Sequence, residues 1–189
     1  MIEAFVLGIY MILMSPFLLK FGVESPITIF LVLFGLSTPG IYAMLRGAPF
    51  VPTVKARLNE MIDLAKIDSS TVIYDLGSGD GRFIFASCRK GAKKAIGYEL
   101  SLPIYIYSKI KSFFYKNAQI RYKDFWFDAG KLKDADVVFC FLMAKPMEKF
   151  ESTIWPHLKP GCKVISNVFR MPSIEPSFHE KGIRVYIKK

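Results

Sequence analysis

One stretch constrains this chain more than any other: Val72-Ile-Tyr-Asp-Leu-Gly-Ser-Gly-Asp-Gly-Arg82. A short apolar run closes on Asp75, glycines alternate at Gly77, Gly79 and Gly81, and a segment of helical character follows. Strand, glycine turn and helix, in that order, is how α/β proteins bring backbone against a nucleotide. Glycine serves there by adopting positive φ, or by lacking a Cβ where a ligand or neighbouring strand approaches. A second run, Lys94-Ala-Ile-Gly-Tyr-Glu99, reads as the next strand and also ends in an acid. Glu99 stands 22 residues beyond Gly77, the distance at which an acid closing the second strand can take both ribose hydroxyls.

The ligand class follows from the details of the turn. Dinucleotide sites use G-x-G-x-x-G and place a pyrophosphate at the helix N-terminus. Here the order is Asp75-x-Gly77-x-Gly79-x-Gly81, with a further acid at Asp80. Two acids would repel a pyrophosphate and suit a ligand with an ammonium group and no phosphate. The pattern resembles motif I of the class I S-adenosyl-L-methionine (SAM) methyltransferases. A Rossmann-like turn holding NAD, or no ligand, is the alternative. The resemblance implies that Asp75 lies near the methionine amino group and that Gly77, Ser78, Gly79 and Gly81 form the close-approach turn. It gives the ribose to Glu99. It also places adenine beside Tyr122-Lys-Asp-Phe-Trp126, with Asp124 accepting from the exocyclic amine and Phe125 or Trp126 near the ring. The plainer readings are a turn-capping Asp75, an exposed strand-end Glu99, and a loop-capping Asp124 beside core aromatics.

The 189 residues suffice for one domain with a real core, and the 52% hydrophobic content exceeds what such a domain needs. The excess lies at the front. Residues 1–45 carry three charges, Glu3, Lys20 and Glu24, around two apolar stretches, 4–19 and 27–45. As helices these would reach about 24–29 Å, close to the ~30 Å hydrocarbon core of a bilayer. We expect a transmembrane helical hairpin; one pass plus a surface helix, or a buried soluble hairpin, are the other options. Ser15-Pro16 and Ser37-Thr-Pro-Gly40 interrupt the stretches, which membrane helices tolerate. The first stretch lacks the basic flank and cleavage site of a signal peptide. All 26 basic residues except Lys20, and all 16 acids except Glu3 and Glu24, lie in residues 46–189, a net charge of +11. Arg46, Lys55 and Arg57 follow the second stretch closely, so the positive-inside rule puts the catalytic domain on the cytoplasmic face of the membrane. Cys88, Cys140 and Cys162, odd in number and without C-x-x-C spacing, read as reduced thiols.

Two prolines and a glycine in Arg46-Gly-Ala-Pro-Phe-Val-Pro-Thr53 mark a boundary. The expected division is an anchor at 1–45, a linker and pre-core helix at 46–70, and a SAM-binding domain at 71–189. Residues 54–66 have helical spacing, with Leu58, Met61, Ile62 and Ala65 on one face. Strands are expected at 71–74, 95–98, 119–122, 136–141, 163–168 and 184–187, and helices at 81–89, 102–115 and 147–158. This alternation predicts an α/β fold, a mostly parallel Rossmann-like sheet covered on both faces. It looks trimmed: a short or absent helix before the fourth strand, and one late strand where the full fold has two.

The expected catalytic loop, Phe141-Leu-Met-Ala-Lys-Pro146, holds no acid or histidine, and it is not the Asn/Asp-Pro-Pro-aromatic type of many amino-directed nucleic-acid methylases. His157 and His179 fall away from the predicted active edge, and no metal-ligand cluster is evident. Methyl transfer needs no acid or base if the nucleophile arrives deprotonated, and alignment supplies much of the barrier reduction. The order of an apolar front, Pro49-Phe-Val-Pro-Thr53, motif I, Gly97-Tyr-Glu-Leu100 and Lys123-Asp-Phe-Trp126 resembles a family of membrane-anchored protein-lysine methyltransferases. Those enzymes modify the adenine nucleotide translocase and the ATP synthase c-subunit, and they have prokaryotic relatives. The resemblance implies a membrane-protein substrate, membrane lipid as a partner, and substrate-side positions at Pro49, Phe50, Pro52, Thr53, Phe141 and Met143. The catalytic residues and oligomeric state stay open. A lipid or quinone-like acceptor, an RNA acceptor favoured by the charge alone, and a non-catalytic SAM-binding protein are the alternatives. Nucleic acid is disfavoured, because no RNA-binding module is present and an anionic leaflet accounts for the charge as well.

Overall fold

Buried apolar runs of four to six residues alternate with helices along the second half of the chain, as the pattern predicts. The computed structural model describes residues 16, 20, 25–30, 34, 35 and 51–189, and the chain divides into two units, Met1–Tyr42 and Ala43–Lys189. In the first, residues 26–30 are helical, with Pro26 early in the turn, where its missing N–H costs nothing. Among the described residues no helix is long and apolar enough to cross a membrane. The hairpin expected over 1–45 lies largely outside them.

The second unit opens with α1 (Lys55–Ala65), whose buried Leu58, Met61, Ile62 and Ala65 are the face expected from spacing. Then follow β1 (Val72–Leu76), α2 (Arg82–Arg89), β2 (Lys94–Glu99), α3 (Leu102–Ser112) and β3 (Ala118–Tyr122). A kinked 3₁₀ segment, Phe125–Asp134, takes the place of a helix before β4 (Val137–Cys140). After it come α4 (Ala144–Thr153), a 3₁₀ turn at Trp155–His157, β5 (Lys163–Asn167), β6 (Phe178–Glu180) and β7 (Ile183–Ile187). The seven strands form one sheet in the order β3-β2-β1-β4-β5-β7-β6. β1 pairs in parallel with β2 and β4, and β7 runs antiparallel to both β5 and β6.

Two expectations need correction. The sheet has two late strands, not one. β6 is three residues long and exposed throughout, so it carries no alternating pattern; its turn into β7 is Lys181-Gly182, both with positive φ (46° and 82°), the tight hairpin geometry that twisted strands favour. The fourth helix begins at Ala144 rather than Met147. Pro146 sits in its first turn, where a helix tolerates proline, and the loop after β4 shrinks to Phe141–Met143. The trimming survives elsewhere: residues 168–177, between β5 and β6, are irregular.

Each face of the sheet is covered. Leu58, Ile84, Phe85, Phe139 and Ile165 pack on one side; Tyr98, Leu132, Met147, Phe150 and Tyr186 pack on the other. Each such side chain stabilises by roughly 1.5–3 kcal/mol. All C-terminal ends of the parallel strands therefore open on one edge, where α/β sheets bind ligands.

Candidate active site

Asp75 is the fourth residue of β1 and lies beside Gly97 of β2 and Phe139 of β4. It is 4% exposed. The turn that follows is tied to the neighbouring strand: the Gly77 and Ser78 N–H groups both donate to the Tyr98 carbonyl, at 3.0 and 2.8 Å. Gly77, Gly79 and Gly81 all have positive φ. Gly97 has a different task, since a Cβ there would stand 2.5 Å from Ser78 Oγ. The glycine in β2 makes room for the turn of β1.

Glu99 closes the arrangement. Its Oε2 accepts from Gly79 N–H at 2.8 Å, and its Oε1 accepts from Leu100 N–H at 2.8 Å and Ser101 N–H at 2.6 Å. The expected ribose acid is thus also a brace, joining the β1–α2 turn to the start of α3. Burial raises its pKa against the three N–H donors, which lower it. Burial, then the charges of Glu99 and Asp80, push the Asp75 carboxyl up to about 8. A cation placed there would relieve all of these costs.

Asp80 departs from expectation. Arg82 Nε and Nη2 grip its carboxylate at 2.8 and 2.7 Å. Burial opposes ionisation, but the guanidinium holds this carboxyl below the usual range. Its charge is therefore spent on Arg82 rather than offered to a ligand. Arg82 Nη1 in turn donates to the Thr53 carbonyl, so one side chain fastens the leading segment to the glycine turn. Thr53 is buried and Pro52 exposed; Pro49 and Phe50 lie outside the described residues. A cavity of about 330 Å³ opens between Pro52, Asp80, Arg82, Pro103, Ile104 and Tyr107.

Just beyond β3, Asp124 acts as the loop cap that was one of its two readings. Its Oδ1 caps Trp126 N–H at 3.1 Å, while its Oδ2 is buried without a partner. Phe125 is buried, with its ring centroid 4.5 Å from that of Trp126 and tilted by 43°. Beyond β4, Phe141 is half-buried, with its ring 6.4 Å from Phe169, and Met143 is exposed. His157 and His179 are exposed, on the turn after α4 and on β6.

Three features escape sequence reasoning. Arg57 Nη1 bonds Asn167 Oδ1 at 2.8 Å while Nη2 bonds the Lys181 carbonyl at 2.8 Å, locking α1 to the end of β5 and the β6–β7 turn. Val168, next to Asn167 on the active edge, holds φ at 71°, a strained state for a β-branched residue. Asp128, 3% exposed, gathers Lys123 at 2.6 Å and Lys131 at 3.1 Å. The last has a local cue in the i,i+3 spacing of Asp128 and Lys131; the first joins residues far apart in the chain, and no side-chain pattern marks the second.

Among the described residues, the buried side-chain oxygens without a hydrogen-bond partner are Asp75 Oδ2, Ser78 Oγ and Asp124 Oδ2. All three belong to this edge. Acceptors of this kind fit a ligand with an ammonium group at one end and an exocyclic amine at the other, which is the donor set of SAM.

Comparison with known proteins agrees. The family model described as the ANTKMT methyltransferase domain matches residues 75–178. A protein-lysine N-methyltransferase of Saccharolobus islandicus (strain REY15A) is 30% identical over 132 residues, 68% of this chain and 81% of that protein. The lysine N-methyltransferase of the ATP synthase c-subunit from Mus musculus is 28% identical over 159 residues; these make up 80% of this chain but only 62% of the mouse protein. Among solved structures, an RNA methyltransferase from Salinibacter ruber in complex with S-adenosyl-L-homocysteine superposes with a TM-score of 0.67 at 28% identity, covering 73% of this chain and 94% of that one. The sheet order, the braced glycine turn and these matches lead to one conclusion: the chain belongs to the ANTKMT methyltransferase domain family and is a SAM-dependent methyltransferase.

Proposed function

We propose that this chain is a membrane-tethered protein-lysine N-methyltransferase acting on a membrane protein. In this reading 1–45 is the anchor, 46–70 the linker and pre-core helix, and 71–189 the SAM-binding domain on the cytoplasmic face. One observation carries it: the acidic cleft is rimmed with exposed apolar side chains. Val51 precedes α1, Tyr122 closes β3, and Leu102, Phe127, Met143 and Val168 follow the C-terminal ends of β2, β3, β4 and β5; all six are exposed. Such a rim suits a target that is itself apolar around the modified residue.

SAM supplies a methyl group already activated on a sulfonium. Asp75 would receive its ammonium end, Ser78 Oγ a further polar contact, and Gly77, Gly79 and Gly81 the close approach. Glu99 keeps lone pairs for ribose hydroxyls beyond its three N–H partners. Asp124 Oδ2 would accept from the adenine amine beside Phe125. A lysine ammonium entering the apolar rim is stripped of water, which lowers its pKa and lets its proton pass to solvent, leaving the neutral amine as the nucleophile. Pro52, Thr53, Phe141 and Met143, with Pro49 and Phe50 on the same leading segment, would shape its approach.

The test is to incubate the full-length protein with methyl-labelled SAM and membranes from cells lacking it. Label in a small hydrophobic protein, localised to lysine by mass spectrometry and absent with Asp75→Ala, supports the proposal. Label in the lipid extract moves the acceptor to a lipid or quinone-like molecule. RNA is the second reading, favoured by the +11 charge and by the Salinibacter likeness; label in the nucleic-acid fraction would establish it instead.

A further inference from the structure

Helix α3 exposes most of its apolar surface, with only Ile104 and Tyr105 half-buried. Its buried residues are Ser108 and Ser112, and their hydroxyls are satisfied within the helix by the Tyr105 and Lys109 carbonyls. The opposite face carries Leu102, Ile106, Tyr107 and Ile110 and runs on into Phe113 and Phe114, all exposed. The last two are 78% and 84% exposed, so neighbouring elements leave them almost wholly uncovered. A helix packed on a sheet normally buries its apolar stripe and exposes its small polar residues.

Charge identifies the occupant. From Arg89 to Asn117 there are seven basic residues and one acid, Glu99, and that acid is buried. Lys109 Nζ lies 5.9 Å from the Phe113 ring centroid, and Lys111 Nζ lies 4.9 Å from that of Tyr107. Apolar and basic groups are thus interleaved on one surface, as in helices that lie in a bilayer interface. An anionic leaflet offers both the depth for the phenyl rings and the charge for the lysines. RNA would use the aromatics and lysines, but Leu102, Ile106 and Ile110 have no π-face for a base.

We propose that α3 and the Phe113-Phe114 turn form a second membrane contact, lying flat in the interface of an anionic bilayer. The contact goes beyond the anchor and does not depend on which molecule is methylated. Tyr107 also lines the cavity beside Pro52 and Arg82, so docking would hold that opening at the lipid surface. The sheet edge that carries α3 is the β3 edge, with β6 at the other extreme. Six strand spacings, about 29 Å, separate them.

The test uses the full-length protein in nanodiscs with brominated acyl chains. Phe114→Trp and Ile110→Trp are compared with Phe178→Trp on β6, after subtracting the emission of the native tryptophans. In anionic discs we expect about twofold or stronger quenching at positions 114 and 110, and none at 178, since only the interfacial residues reach acyl depth. Lys109→Gln, Lys111→Gln and Lys116→Gln together, or zwitterionic lipid, should relieve it. The proposal is overturned if position 114 is no more quenched than 178. It is also overturned if position 114 is shielded without lipid, meaning that the chain itself or a second copy covers it, or if RNA rather than lipid changes its emission.

Discussion

Helices α2 and α3 occupy equivalent places. Each follows a strand with an acid at or next to its C-terminal end, and each returns the chain to the next parallel strand. Their faces are opposite in kind. α2 buries Phe83, Ile84 and Phe85, and Phe83 stacks on Phe139 at 4.7 Å. α3 buries two serines, half-buries Ile104 and Tyr105, and exposes its other large apolar side chains. The same topological slot thus serves two ends. α2 gives its apolar surface to the core, and α3 withholds it from the core. What the two share is Glu99, whose carboxylate accepts from the turn leading into α2 and from the two residues just before α3.

The largest effect should fall on α2. Phe83→Ala removes a buried ring from a close-packed site and is expected to cost about 3–5 kcal/mol, read by chemical denaturation. A loss no greater than that of an exposed α3 residue would erase the contrast. Next comes the shared brace. Glu99→Ala leaves three backbone N–H groups without their charged acceptor, for a cost of roughly 2–3 kcal/mol, and should abolish SAM binding by calorimetry. Glu99→Gln, which keeps both acceptor positions only in part, should recover most of the stability while remaining weak in binding.

How far this was legible in the sequence depends on whether chemistry demanded particular residues in a fixed local order. The glycine turn and the place of Glu99 at the end of β2 were legible because close backbone approach leaves few choices of residue. Strand β6 was not, because Phe178-His-Glu180 is exposed and too short for alternation; the Lys181-Gly182 turn was the available cue. Asp80 looked like a ligand acid because its partner Arg82, two residues on, could not be assigned from spacing alone. Arg82 to Thr53 and Arg57 to Asn167 span 29 and 110 residues, and no local pattern encodes them. The helix at α3 was expected from the alternation of elements, but which face it presented to the sheet became clear only once β3 stood beside it.

Asp75 tests the acidic junction at the head of α2 through pH. Its carboxyl is raised from an ordinary 3.8 to about 8 by burial, then by Glu99 and Asp80. Between those values the folded protein keeps a proton that the unfolded chain releases, so this group makes stability fall as pH rises from about 4 to about 8. Asp75→Asn should therefore be the more stable protein at pH 8, by on the order of 1–3 kcal/mol, with no SAM binding. The advantage should vanish below about pH 3, where both states of the wild type are protonated. A thermal-shift difference that stays constant across this range would mean that Asp75 is not the titrating group.

The smallest effect separates the helices most cleanly. Ile110→Ser on α3 removes an exposed side chain with no core contact to lose, so folding stability should change by no more than about 0.5 kcal/mol. A matched change on α2, Ile84→Ser, meets a 0% exposed position and should not be tolerated. Sparing of stability alone would describe any surface residue. The informative result is sparing of stability together with a loss of activity on membrane-embedded substrate, while SAM affinity stays normal. Preserved activity would reduce α3 to a surface helix whose apolar face has no role in reaching the substrate. Loss of both stability and activity would mean that Ile110 is packed against another part of the chain, and the contrast between the two helices would collapse.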